Sequence, residues 1–190
     1  MSDTNNISAA KPAVGGAISM APFGTQVPTD ATTALNSAFK NLGYISDDGM
    51  KNNSSIDSEE KKAWGGDSVY AAETGKTDTF TCKFIETLNV DVLKAVYGSS
   101  NVSGTLANGI SINVNSKEHE YCAWICDMIL KGDVLKRIVI PRGKITNVAE
   151  ITYKDNDLIG YEVTISAAPY NSNGDTHHEY LKGKATSQSS

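Results

Sequence analysis

The feature that most constrains this chain is a series of short runs rich in β-branched and aromatic residues, each bounded by Gly, Asn, Asp or Pro. FKNLGYIS, SVYAAET, DTFTCKFIE, GISINVN, EYCAWICDMIL, LKRIVIP, ITNVAEITYK and IGYEVTISA follow one another at the spacing of an antiparallel β domain. Alternation is clearest from Glu118 to Leu130. Cys122, Trp124, Cys126, Met128 and Leu130 share one face, which is expected to be continuous core, and Tyr121, Ala123, Ile125, Asp127 and Ile129 share the other. Around Thr152–Ile165 the stretch DND lies between two alternating runs and predicts a hairpin turn.

A single helix is expected over residues 89–97. Asn89 is placed to cap VDVLKAVY, Asp91 sits in the first turn where the helix dipole favours an anion, and Gly98 closes the segment. Val90, Leu93, Val96 and Tyr97 make a stripe that should lie against a sheet. A shorter helical turn is expected to begin at Asp30 in TDATTALN.

A length of 190 residues suits one domain. Residues 1–12 and 182–190 are small, polar and aperiodic, and read as arms that stay mobile until something docks them; the domain is expected over 13–181. The N-terminus MSDTNNISAAKP lacks the basic-then-apolar pattern of a signal peptide, and no apolar run approaches the ~20 residues needed to span a bilayer. Maturation in a cytoplasm without membrane contact is the expectation, and Cys82, Cys122 and Cys126 are then reduced thiols. The net charge of −5 argues against a nucleic-acid binder held by phosphate contacts.

The motifs that suggest chemistry fail on spacing. Gly75-Lys76-Thr77 resembles the end of a phosphate-binding loop, but the position that needs the first glycine holds Tyr70. Cys122 and Cys126 with His119, His177 and His178 suggest a metal site, yet residues four apart on a strand stand about 13 Å apart, too far for one ion. Asp47-Asp48 and Glu59-Glu60 lie in predicted loops, and no nucleophile has a base at a telling distance. The expectation is no enzyme, no metal and no cofactor, with His177-His178 in a solvated edge segment.

What stands out is the connection from Ser46 to Asp67, which lacks clear periodicity and carries six acidic and three basic residues. Connections beyond about 12–15 residues in compact domains are commonly functional or disordered. Within it, DSEEKKAWGGD places Trp64 among charges and before Gly65 and Gly66. A tryptophan in such a segment is stable when it docks on a neighbour, so Asp57, Glu59, Glu60, Lys61, Lys62, Trp64, Gly65, Gly66 and Asp67 are expected to form an inter-subunit or inter-ring contact. The alternative is that Trp64 folds back onto its own subunit. From Lys131 to Lys144 the charge is reversed: Lys131, Lys136, Arg137, Arg142 and Lys144 face a single acid, Asp133. The two segments are candidate halves of a head-to-tail contact, with solvated surface as the plainer reading.

Three stretches together resemble a known family: APFGTQVPTDATTALNSAFKNLGYISDDGM, the segment with AWGGD, and KTDTFTCKFIETLNVDVLKAVYG followed by LKRIVIPRGKI. They resemble the major tail tube proteins of long-tailed, non-contractile bacteriophages, in the version common among phages of Gram-positive hosts. The resemblance runs from about Ala21 to Pro169. It implies a mainly β fold, two packed antiparallel sheets with one flanking helix and a long inter-strand loop. It also implies hexameric rings stacked head to tail in the virion tail, assembled in the host cytoplasm around a tape-measure protein with tail terminator and distal tail proteins as partners. DNA would pass through the lumen without tight binding. No catalytic residues come with the resemblance. The competing classes are an Ig-like β-sandwich binding or adhesion module and a small cytoplasmic enzyme. The Ig framework needs a Cys–Trp–Cys set across two sheets, and here Trp124 lies between Cys122 and Cys126 on one strand.

Overall fold

The computed structural model describes residues 2–13 and 15–183, with only the backbone of Asn5, Asp57 and Thr74. The expected strands form in chain order: β1 (Lys11–Pro12), β2 (Ile18–Pro22), β3 (Lys40–Asn41), β4 (Ile45–Lys62) and β5 (Ser68–Phe84) precede the helix α1 (Val90–Tyr97). After it come β6 (Val102–Thr105), β7 (Gly109–Ile112), β8 (Cys122–Leu130), β9 (Val134–Val148), β10 (Tyr161–Ala167) and β11 (His178–Lys182). All described pairings are antiparallel. Strands β6 and β7 form a separate ribbon, and the rest join in one large sheet of order β3-β2-β8-β9-β10-β5-β4, with β1 on β8 and β11 on β9.

Strand β9 makes this one sheet act as two layers. Its first part pairs with β8 and β11, and its second part, from Gly143 to Val148, pairs with β10. The register slips where they meet: Trp124 lies opposite Ile140, but Cys122 lies opposite Gly143. Pro141 falls within that slip, where its missing N–H costs no ladder bond. A strand that bends in this way carries one sheet round into the next. The mainly β, sandwich-like fold with one helix expected from the sequence is the fold observed.

Trp124 fills the bend. Its ring is 3 % exposed, and its indole N–H donates to the Gly143 carbonyl at 3.1 Å. A Cβ at Gly143 would stand 2.8 Å from the Trp124 ring and 3.0 Å from Ile165, so glycine here is a requirement of packing. Around Trp124 gather Cys126, Ile138 and Ile140 from one layer, Phe80, Cys82, Phe84, Val163 and Ile165 from the other, and Val92, Leu93 and Val96 from α1. The helix is capped as expected, Asn89 accepting from the Asp91 amide at 3.0 Å, and it buries Val92, Leu93, Ala95 and Val96.

Several expected boundaries move. SVYAAET and DTFTCKFIE fuse into β5, because Gly75 continues the extended chain opposite Asp57 instead of breaking it. The strand expected from Glu118 begins at Cys122, and both its faces are covered: Ala123 and Ile125 are as buried as Trp124 and Cys126. Arg137 explains the second cover. It forms a two-pronged pair with Asp127, at 2.6 and 3.0 Å, and donates to the carbonyls of Asp30 and Thr33, fastening that segment to the sheet. The helical turn expected at Asp30 does not form. The Asp30 carboxylate instead accepts from the amides and hydroxyls of Thr32 and Thr33 in a local turn, and these bonds hold it well below the usual carboxylate range. No hairpin turn forms at Asp155-Asn156-Asp157; residues 149–160 are a connection without strand, linking β9 to β10.

The ends are more engaged than their composition suggests. Lys11 and Pro12 pair with Ile129 and Met128 of β8, and the Lys131 amide donates to Ser8 Oγ. Lys182 closes β11 opposite Leu135, while residues 184–190 of the expected C-terminal arm lie outside the described residues.

The substitution Gly143→Ala is expected to destabilise the fold by about 1–3 kcal/mol, the usual cost of overpacking. Thermal unfolding of the two proteins measures it, and an unchanged Tm contradicts the packing argument.

Candidate assembly site

The Ser46–Asp67 segment is not a loop. It is most of β4 and the turn of a long hairpin with β5. Polar side chains hid the strand from a reading based on hydrophobic alternation, because that signal needs a buried face and this hairpin has none toward its tip. Strand β10 pairs with β5 only as far as Asp78, opposite Ala167. Beyond it, from Thr77 out to Ser68, β5 pairs with β4 alone, in an arm of about 30 Å at the usual rise per residue.

The arm is built cross-strand from Ser58 opposite Glu73, Glu59 opposite Ala72, Glu60 opposite Ala71, Lys61 opposite Tyr70 and Lys62 opposite Ser68. Asp57 pairs through its backbone with Gly75. At the tip the Ala63 amide donates to Asp67 O and the Gly66 amide to Ala63 O. Gly65 and Gly66 have φ of 119° and 98°, values that disfavour side chains, which is why a glycine pair follows the tryptophan. Trp64 itself is 106 % exposed, so it does not fold back onto its own subunit. Ile56, Val69 and Tyr70 are exposed along the same arm. An isolated two-stranded hairpin is marginally stable in water, and a bare indole is costly to leave wet. The arm thus carries apolar anchors without a cover from its own chain.

The root of the arm is locked by a group that motif reading missed. Asp78 is 1 % exposed, and its carboxylate accepts from the Asn52 amide at 2.8 Å, the Thr176 hydroxyl at 2.6 Å and His177 Nδ1 at 2.5 Å. The network ties both hairpin strands to the segment entering β11. Burial by itself raises the Asp78 pKa, but the bonds from Thr176, Asn52 and His177 outweigh it, and the carboxyl titrates below its ordinary value. The sequence did hold a signal: Asp78 shares the period-two face of Phe80, Cys82 and Phe84, all buried. His177, expected in a solvated edge, is turned inward and meets Phe80 edge-on.

The basic segment does not form an open stripe. Arg137 is 7 % exposed and committed to Asp127, and Lys136 pairs with Glu179 at 2.9 Å. Lys144 pairs with Glu118, and Arg142 lies over Tyr121 while donating to Pro169 O. Lys131 is exposed at the end of β8. Strand pairing alternates these side chains between faces, and residues brought alongside supply counter-charges to Lys136, Arg137 and Lys144, which a linear count of residues cannot show.

The other candidates resolve simply. Gly75-Lys76-Thr77 is extended strand in β5. Burial pushes the Cys122 thiol up to about 11 and Cys126 to about 12, and raises Cys82 as well, leaving protonated thiols of low reactivity. Among the described residues no three His, Cys, Asp or Glu side chains converge as metal ligands. His178 is engaged with the Tyr170 hydroxyl and stacks on Tyr180.

A mainly β body with a projecting, anchor-bearing hairpin is the shape of a part made to join others. A family model described as phage tail tube protein matches residues 3–186. The chain belongs to the phage tail tube protein family. No curated protein matches it. A tail tube protein is a structural component of a phage tail, and the projecting hairpin suits that role.

Two outcomes are expected of the tail tube subunit in solution. Because its folded pKa is lowered, Asp78 contributes stability that is present above the unfolded value near 3.8 and is lost as pH falls through the folded value. Thermal melts taken between neutral pH and strong acid should therefore show Asp78→Asn less stable at neutral pH, with the gap closing in acid. Trp64→Ala should leave the melting temperature of the monomer almost unmoved, within the about 0.5 kcal/mol typical of exposed sites.

Proposed function

We propose that this chain polymerises as hexameric rings stacked head to tail into the hollow tube of a phage tail, a conduit for DNA ejected into the host. The observation that carries the reading is the hairpin arm, whose outer strands pair only with each other among the described residues and which ends in a bare Trp64. Asp57, Glu59, Glu60, Lys61, Lys62, Trp64, Gly65, Gly66 and Asp67 are the proposed contact between subunits or rings. A contact between unlike surfaces of identical chains propagates as a filament where its rotation does not close, so one arm per chain suffices to link ring to ring. Subunits of this kind would assemble in the host cytoplasm around a tape-measure protein, with terminator and distal tail proteins at the ends. The resemblance favours a long, non-contractile tail and a Gram-positive host.

The overall charge of −5 suits a passive duct, since a lumen that neutralised phosphates would hold the DNA it must release. An Ig-like binding module is the weaker reading, because the free cysteines build no inter-sheet disulfide.

Electron microscopy of the purified, concentrated protein tests the proposal. Rings and tubes are expected, and strictly monomeric particles at all concentrations would sink it. Trp64→Ala should raise the concentration needed for tubes by about tenfold or more, as loss of an aromatic anchor does at interfaces. Assembled tubes should bind no duplex DNA at physiological salt in a filter or gel-shift measurement.

A further inference from the structure

A groove of about 430 Å³ opens between the N-terminal strand and the start of β4. Its walls are Lys11 and Pro12 of β1 on one side and Ile45–Met50 on the other, and Ala17, Cys126 and Met128 form its floor. It exists because the ladder between β4 and β5 skips from Ile45 opposite Phe84 to Met50 opposite Cys82, bulging Ser46 to Gly49 away from the sheet. Cys126 and Met128 lie on the apolar face of β8 that the neighbouring Trp124 buries in the core, so the groove is a place where the gap between the two layers reaches the surface. Its size lies in the range of clefts that seat a compact organic group.

We propose that this groove is the receptor for the hairpin tip of a second copy of the chain, with the partner copy's indole as the inserted anchor. The inference rests on reading the chain as a polymerising tube subunit and specifies where its arm lands. Two observations select that occupant. The floor is apolar, with Met128 half-buried beside the buried Ala17 and Cys126, and it is complementary in kind to the fully exposed Trp64. The charges match as well. One wall carries the exposed Asp47 and Asp48 and the other the exposed Lys11, while the tip carries Lys61 and Lys62 on its outgoing strand and Asp67 where the chain returns. Insertion with the lysines toward Asp47 and Asp48 brings Asp67 toward Lys11, and the reversed insertion sets like charges together, so the rim fixes orientation as charges at interface edges do. Lys136, Arg137 and Lys144 of β9 are occupied by acids of their own chain and Arg142 by the Tyr121 ring and the Pro169 carbonyl, which leaves this rim as the better electrostatic match for the arm. Arm and groove lie on one chain but are different surfaces, so the contact is heterologous and can repeat from ring to ring.

The test places a photoreactive benzophenone at the tip, as Trp64→benzoylphenylalanine, doped into excess isotopically labelled unsubstituted chain so that tubes still form. After irradiation, cross-links from the tip to labelled peptides holding Ala10–Pro12, Ile45–Met50 or Cys126–Met128 are expected. Cross-links that fall elsewhere, stay within the substituted chain or do not form in intact tubes would overturn the groove while leaving the tube reading in place. Failure of the unsubstituted chain to polymerise would overturn both. As a second arm, Asp47→Lys with Asp48→Lys should raise the polymerisation threshold about tenfold at low salt. Adding Lys61→Glu with Lys62→Glu should restore it, and an equal threshold in all three chains, each folded by its melting curve, would also overturn the proposal.

Discussion

The contact of Trp124 with Gly143 is the constraint on which the molecule depends. A 15-residue strand has to serve two layers, and it turns from one to the other where the tryptophan ring lies against a residue without a side chain. The indole N–H takes the Gly143 carbonyl, so the ring is oriented by a directional bond as well as by shape. Phe80, Phe84, Val163 and Ile165 can then face Cys126, Ile138 and Ile140 across one core, with α1 sealing its side. Packing at interior density leaves no freedom to slide, and the register of the strands that follow is inherited from this crossing.

From that body the hairpin projects as an element with different physics. Near the root, β5 is held on both sides and its inward face is apolar; past Asp78 it keeps one partner and loses its core. The buried carboxylate at the changeover is satisfied by three donors from two segments, β4 and the approach to β11, so the arm leaves the body from a rigid base. A rigid base with a thinly stabilised tip suits a part whose final packing is completed by a neighbour. Arg137 has a comparable task on the opposite face, where one guanidinium fixes Asp127 and two backbone carbonyls and holds down the segment near Asp30. Losing such a partner from a buried pair costs more than the pair adds, so these two polar clusters are points of vulnerability as well as of order.

The sequence by itself determined the β class, the capped helix from Asn89 to Gly98 and the placing of Trp124 and Cys126 in the core. Each follows from local rules: a two-residue period, a capping side chain, an apolar face. It also singled out Trp64 with its glycine pair, since an aromatic beside charges and two turn-forming residues is legible without coordinates. Tertiary structure decided the rest, for reasons that are not local. Whether a polar stretch is a loop or a strand depends on a partner strand, and Ser46–Lys62 found one in β5. Whether a basic run is an exposed patch depends on which acids the fold brings beside it, and Asp127 and Glu179 arrive on paired strands and Glu118 from the segment before β8. Asp78 showed its inward position in its period, but Thr176 and His177, nearly a hundred residues away, become its partners only when the chain closes on itself.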